Sequence, residues 1–264
     1  GYPTYSSASR LVEAEILTYD LREEKGWWPD FEALEKMDLE GVKIMWTNYP
    51  NMPTGAPASE ELYAKLVDFG RRHGILICND NPYSFILNDR PISILAQPGA
   101  RECCLELNSL SKAHNMAGWR IGMVAADAEV IAQILKVKSQ MDSGMFKPLQ
   151  LAAVQALARG PEWFRELNDE YRLRKVLAGE IFDMLGVTYD RNSSGMFLWG
   201  KVPMPDNSAG QRLSDKILYE AGVFITPGFI FGKNGEEYVR ISLCSKPQVL
   251  KRAAERIAAV LGGR

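Results

Sequence analysis

Short apolar runs alternate with helix-period segments along most of this chain, and each run stops at a polar loop. Lys43 to Asn48, Ile75 to Asn79, Cys103 to Leu107 and Ile121 to Ala125 read as strands, too short for buried helices. Strands that bury both faces belong in a mostly parallel sheet flanked by helices, which sets the class as α/β. The intervening helices are legible. Ser59 stands as an N-cap before Glu60 and Glu61, and Leu62, Leu66 and Phe69 carry one apolar face to about His73. Further helices are expected from Asp127 to Met141, Pro148 to Arg159 and Pro161 to Leu185. Beyond residue 172 the pattern changes. Phe197 to Val202, Phe224 to Thr226 and Tyr238 to Leu243 read as strands, with helices near 209–221 and 247–261. The expected organisation is a large domain over 1–172 and a small α+β domain over 173–264. Ligands of open parallel sheets sit beyond the carboxyl ends of the strands. The polar loops at Asn48, Asp80 and Ser109 mark that edge.

Of the 264 residues 46% are hydrophobic, enough for a sizeable core and too many for a disordered chain. A net charge of −2 gives no electrostatic footing for nucleic acid or an anionic membrane surface. No apolar run approaches the roughly 18 residues that span a bilayer. No secretory leader is visible, so a cytoplasmic location is expected. The opening Gly1-Tyr2-Pro3-Thr4-Tyr5 reads as a strand-and-turn segment entered part-way, as in a chain without its N-terminal part. Cys78, Cys103, Cys104 and Cys244 lack metal-ligand spacing and are expected to be free buried thiols, with Cys103 and Cys104 on opposite strand faces.

The densest reactive cluster is Ser109-Leu110-Ser111-Lys112-Ala113-His114-Asn115-Met116-Ala117-Gly118-Trp119-Arg120-Ile121-Gly122. A lysine that attacks a carbonyl must be partly neutral, which a nearby cation such as Arg120 favours. Ser109, Ser111 and Arg120 also offer hydroxyls and a guanidinium fork to a phosphate. The plain alternative is a surface lysine after a serine-rich turn. Asp80, in Asp80-Asn81-Pro82-Tyr83, reads by itself as a helix cap. Arg240, in Tyr238-Val239-Arg240-Ile241, suits a carboxylate or a surface ion pair. Tyr2 and Tyr5 read equally as sheet-edge packing, and His114 as a packing or hydrogen-bonding residue. Trp27, Trp28 and Trp46 read as packing residues, and Glu23-Glu24-Lys25 and Lys251-Arg252 as solvated faces.

Taken together, these segments resemble the class I and II aminotransferases, pyridoxal-phosphate enzymes of the aspartate aminotransferase superfamily with the type I fold. The resemblance rests on S-x-S-K-x(5)-G-x-R-x-G at Ser109 to Gly122, D-x-x-Y at Asp80 to Tyr83, N-Y-P-N-x-P-T-G at Asn48 to Gly55, and Arg240. It covers the chain from Gly1 to the last helix, but the family's N-terminal arm and phosphate-binding glycine turn have no counterpart.

It implies that Lys112 carries pyridoxal 5'-phosphate as a Schiff base and moves the substrate proton. It further implies that Ser109, Ser111 and Arg120 contact the cofactor phosphate, that Asp80 pairs with the ring nitrogen and that Tyr83 donates to the ring oxygen. Tyr2 would stack on the ring, and Arg240 would grip the substrate carboxylate. Ping-pong transamination between an amino acid and a 2-oxo acid in a homodimer follows. A same-fold carbon–sulfur lyase, a cyclopropane-carboxylate synthase and the sensor domain of a transcription regulator are the rival outcomes of the same resemblance.

One position departs. The family has an asparagine directly before P-T-G that also binds the ring oxygen, and this chain has Met52. A thioether cannot replace an amide donor, so either Asn51 swings in or one hydrogen bond is lost. The Schiff base is therefore expected to have a higher pKa than in family members that keep the amide. Titrating its absorbance against pH checks this, and an unraised value rejects it.

Overall fold

The structure, a computed structural model, describes residues 2–203 and 206–262. Its main elements, in chain order, begin with helix α1 (Pro3–Leu11), the single turn α2 (Phe31–Leu34), strand β1 (Ile44–Thr47), helix α3 (Glu60–His73) and strand β2 (Leu76–Asp80). Strand β3 (Cys104–Ser109), the one-turn helix α4 (Leu110–Ala113) and strand β4 (Gly122–Ala126) follow. Helices α5 (Ala128–Met141), α6 (Lys147–Leu157) and α7 (Pro161–Met184) lead to strands β5 (Thr188–Tyr189) and β6 (Phe197–Lys201). The chain closes with α8 (Ala209–Ala221), β7 (Thr226–Pro227), β8 (Tyr238–Ser242) and α9 (Pro247–Gly262).

Two compact units result. One comprises Phe31–Pro50 and Pro57–Leu167, the other Gly1–Asp30, Asn51–Ala56 and Asn168–Arg264. The division falls inside α7, five residues before the expected 172/173 boundary, and groups two earlier segments with the C-terminal part. The first unit holds a sheet of order β1-β2-β3-β4, in which β1, β2 and β3 are parallel and β4 is antiparallel to β3. The β3–β4 connection has only α4 and one 3-10 turn, with no helix long enough for a crossover.

Helix α3 shows how sequence becomes packing. The Ser59 hydroxyl accepts from Leu62 N at 3.0 Å, and Gly74 ends the helix in the left-handed region at φ +64°. Leu62, Tyr63, Leu66, Val67, Phe69 and Gly70 are buried. A Cβ on Gly70 would lie 2.9 Å from both Ile75 O and Ile77 Cγ1, so glycine lets the helix lie directly on the β2 segment. A row of polar side chains crosses the same core. Thr47 Oγ1 donates to Asn79 Oδ1 at 3.1 Å, and Asn79 Nδ2 donates to Glu106 Oε2 (3.1 Å) and Tyr63 Oη (3.0 Å). These three strand residues are register partners, Thr47 with Asn79 and Asn79 with Glu106.

The second unit holds an antiparallel sheet of order β5-β6-β8-β7. Leu198, Val239 and Phe182 are fully buried there.

Three expectations are corrected. Residues after Tyr2 form α1, with Pro3 at a first-turn position where its fixed φ suits a helix, not a strand and turn; Gly1 lies outside the described residues. Cys78, Cys103 and Cys104 are buried, but Cys244 is exposed in the turn after β8. Cys103 is not a strand residue: its ψ of 11° breaks the alternation, and its Sγ lies 3.7 Å from that of Cys104.

Ser59→Ala is expected to cost about 1 kcal/mol, a lost cap. Asn79→Ala should cost about 3 kcal/mol, because it leaves several buried polar groups without their partner. Urea unfolding checks both size and order; equal losses would mean that the buried row carries no special weight.

Candidate active site

The carboxyl edge of the β1–β4 sheet gathers most of the expected residues. Parallel β1, β2 and β3 end at Thr47, Asp80 and Ser109, and antiparallel β4 begins at Gly122 opposite Ser109. Asn48, Asp80, the Ser109–Lys112 segment and Arg120 therefore follow one edge. The asparagine side chain of Asn48 ties two of these ends together, donating from Nδ2 to the Asp80 carbonyl at 2.6 Å. Tyr83 is buried in the turn after β2.

Around Lys112 the backbone is tightly turned. Ser109 caps α4, its Oγ accepting from Ser111 N at 3.1 Å, and the two hydroxyls lie 2.9 Å apart. Ser109 Oγ also reaches Ile121 O at 3.3 Å, which brings the residue after Arg120 to the serines. Arg120 itself is held at φ +55°, a strained conformation for a residue with a Cβ, and its Nη1 donates to Ala117 O at 2.9 Å. Lys112, half-buried on its single turn, projects from the same segment.

Two hydroxyls and a guanidinium at one loop form a donor set for a phosphate, and a carboxylate at a neighbouring strand end suits a protonated ring nitrogen. The residues present thus fit pyridoxal 5'-phosphate. His114 takes no part in this set. Its ring meets Phe164 edge-on at 5.5 Å, and its buried Nδ1 has no hydrogen-bond partner among the described residues.

The unit built on β5–β8 carries the other expected residues. Arg240 lies on β8, its Cζ 4.2 Å from the Phe197 ring centre and 4.5 Å from that of Phe231. Its Nη1 donates to Met52 Sδ at 3.6 Å. Asn51 does not swing free: its Oδ1 accepts from Thr54 Oγ1 at 2.7 Å and Thr54 N at 3.4 Å within its own turn. Tyr2 is 52% exposed and meets Tyr5 edge-on, so its ring is not packed away. Glu23 is exposed, as expected of a solvated face, and its carboxylate also accepts from Tyr238 Oη at 2.7 Å; Trp27 packs edge-on against Trp199 and Tyr238.

Sequence reasoning missed the rings beside Arg240 and the Thr47–Asn79–Glu106 row. The signal for the row was present: polar residues inside apolar runs call for partners. No pattern in the sequence announces the rings. Among the described residues there is no His, Cys, Asp or Glu cluster suited to a metal and no helix long and apolar enough to cross a membrane.

The family model for aminotransferase class I and II matches residues 1–257. LL-diaminopimelate aminotransferase of Aquifex aeolicus is 40% identical over 259 residues, covering 97% of this chain and 66% of that protein. Its counterpart in Desulforudis audaxviator is 38% identical, covering 99% and 67%. The solved structure of apo BacF from Bacillus subtilis aligns with a TM-score of 0.89 at 36% identity, covering 97% of this chain and 66% of that one. A probable N-succinyldiaminopimelate aminotransferase from Thermus thermophilus aligns with a TM-score of 0.88 at 31% identity, covering 98% and 69%. The chain thus spans about two thirds of the length of the proteins it matches.

Burial pushes the His114 imidazole below its ordinary pKa. The unfolded chain then takes up the proton first as pH falls, so acid lowers stability through this residue, and above the ordinary pKa the residue contributes nothing. His114→Gln is expected to shrink the fall in urea midpoint between about pH 7 and pH 5. An NMR titration placing His114 at or above an ordinary histidine would reject this.

Proposed function

This chain belongs to the class I and II aminotransferases, and from that footing we propose that the protein moves an amino group between an amino acid and a 2-oxo acid, with Lys112 as the attachment and proton-transfer residue. The observation that carries the reading is the shared edge on which Asp80, Ser109, Ser111, Lys112 and Arg120 stand. Residues 1–172 would supply most of the cofactor contacts and residues 173–264 the carboxylate grip.

Pyridoxal 5'-phosphate, when bound, supplies a carbonyl carbon reactive toward amines and a ring that withdraws electrons from the substrate α-carbon. The Ser109 and Ser111 hydroxyls and the Arg120 guanidinium would hold its phosphate. The Asp80 carboxylate would favour a protonated ring nitrogen by charge, and Tyr83 would donate to the ring oxygen. Lys112 would hold the group through its Nζ and would serve as the base that takes the substrate α-proton and the acid that returns it. Arg240 holds the α-carboxylate by two parallel hydrogen bonds, a geometry that a lysine cannot supply. Tyr2 offers its exposed ring as the stacking face, and Asn51 acts by holding the turn that carries Met52.

The names of the relatives make LL-diaminopimelate the first donor to try. That molecule has an amino and a carboxylate group at each end, so Arg240 accounts for one carboxylate and a second cation must meet the other. Three buried free thiols are compatible with the reducing cytoplasm we assign, and a homodimer is the assembly we assign.

A half-reaction screen with a panel of amino acids, followed by cofactor absorbance, should identify the donor. Amino-group transfer to a 2-oxo acid is expected; elimination from a cysteine-type substrate would make the protein a lyase instead. Borohydride reduction of the cofactor-loaded protein should label Lys112, and Lys112→Ala should slow turnover by about 10²–10⁴-fold or more. Arg240→Lys should raise the donor KM by about tenfold or more. Labelling at another residue would overturn the assignment.

A further inference from the structure

Met52 belongs to a turn that is built into the unit of β5–β8 by a short series of hydrogen bonds. Asn51 N donates to Ala56 O and Gly55 N donates to Asn51 O, both at 2.8 Å, which closes the turn. Ser194 N then donates to Gly55 O at 2.8 Å. Gly55 sits at φ +76°, and a Cβ there would fall 2.7 Å from Ser193 Cβ and 2.9 Å from Ser194 O. The turn therefore rests directly on the backbone of residues 193–194. Ser193 and Ser194 are each 4% exposed.

A charged side chain, Lys175, meets that loop from α7. Lys175 Nζ donates to Ser193 O at 2.5 Å. Burial pushes its amine below the ordinary lysine value, with Asp190 pulling the other way. A partly buried ammonium needs an acceptor, and the Ser193 carbonyl is the acceptor the fold supplies.

We propose that Lys175 is a positioning residue for the substrate carboxylate. It fixes the 193–194 loop, the loop fixes the 51–56 turn, and the turn holds Met52 against Arg240. The proposal rests on the reading of Arg240 as the carboxylate grip. Lys175 touches neither Arg240 nor substrate in this account; it acts through the backbone between them. Loss of its hydrogen bond lets the loop and turn loosen together, so the Met52 sulfur leaves Arg240 Nη1 and the guanidinium no longer keeps one orientation.

The test uses the full-length, cofactor-loaded protein and two readouts. The first is oxidation of Met52 by dilute peroxide, followed by peptide mass spectrometry. Met52 is 7% exposed and Met141 79% exposed, so Met141 serves as the internal standard. Lys175→Leu is expected to speed Met52 oxidation several-fold with Met141 unchanged. The second readout is the donor half-reaction: KM should rise by about tenfold while kcat stays within about twofold. Lys175→Arg, which keeps a cationic donor, should restore both. Lys175→Gln gives the same comparison should the leucine variant fail to fold. A variant with lowered melting temperature but wild-type Met52 oxidation and wild-type KM would overturn the proposal. The peroxide readout needs no turnover. A wild-type protein inactive toward every donor, with faster Met52 oxidation on Lys175→Leu, would refute the functional reading and leave the mechanical link standing.

Discussion

Three polar side chains cross the β1–β3 sheet in a line, Thr47, Asn79 and Glu106, each opposite the next in strand register. Asn79 is fully buried and uses both ends of its amide, accepting from Thr47 and donating to Tyr63 and Glu106. Glu106 Oε2 also accepts from Ile94 N at 3.1 Å, which ties the loop before β3 to the same row. Apolar contacts alone set strand register loosely when both faces are buried, because a slipped strand still buries apolar groups. A polar row is less forgiving. A one-residue slip would turn each side chain to the other face and leave several buried polar groups without partners, at about 1–3 kcal/mol apiece. The row lies one residue before Asn48 and one before Asp80. Register pinned there puts those two strand ends in phase, and the Asn48–Asp80 hydrogen bond follows from that phase.

The arginine side of the chemistry is controlled differently. Arg240 lies against two phenyl rings and a thioether. Rings hold a guanidinium by its charge and its flat faces and leave the in-plane N–H groups for a bidentate partner. A sulfur acceptor is weak, so a carboxylate displaces it at small cost. On the proposed reading of Arg240, an aspartate or glutamate at the same place would compete with substrate for the same N–H groups.

How far the sequence could be read depended on the range of the interaction involved. Helix α3 was legible to its cap because Ser59, the apolar spacing and Gly74 act within a few residues. The parallel pairing of β1, β2 and β3 was legible because strands apolar on both faces have few other arrangements. The grouping of Asp80, Ser109, Ser111, Lys112 and Arg120 on one edge followed from that pairing. What was missed acts over long separations or depends on a local dihedral. Phe197 and Phe231 reach Arg240 from a strand and a 3-10 turn, a meeting that neither segment announces. Cys103 and Cys104 came together because one ψ angle departs from the strand value. Pro3 was taken as a turn marker when its other common place is the first turn of a helix.

The exchange of an amide for a thioether at Met52 bears on two bonds at once, and they pull in different directions. Toward the cofactor that the family implies, a thioether has no hydrogen to donate. Toward Arg240, the thioether is a weak acceptor, one that a carboxylate in the proposed role would displace. On the proposed reading, in which Arg240 grips the substrate carboxylate, the exchange would shift binding energy from the reacting centre to a remote group. Remote binding speeds a reaction only if it is turned into orientation at the centre, which requires the arginine to be held still. In this unit the holding falls to the rings of Phe197 and Phe231 and to the turn that Lys175 anchors, so on the proposed reading a remote lysine matters to a carboxylate it never meets.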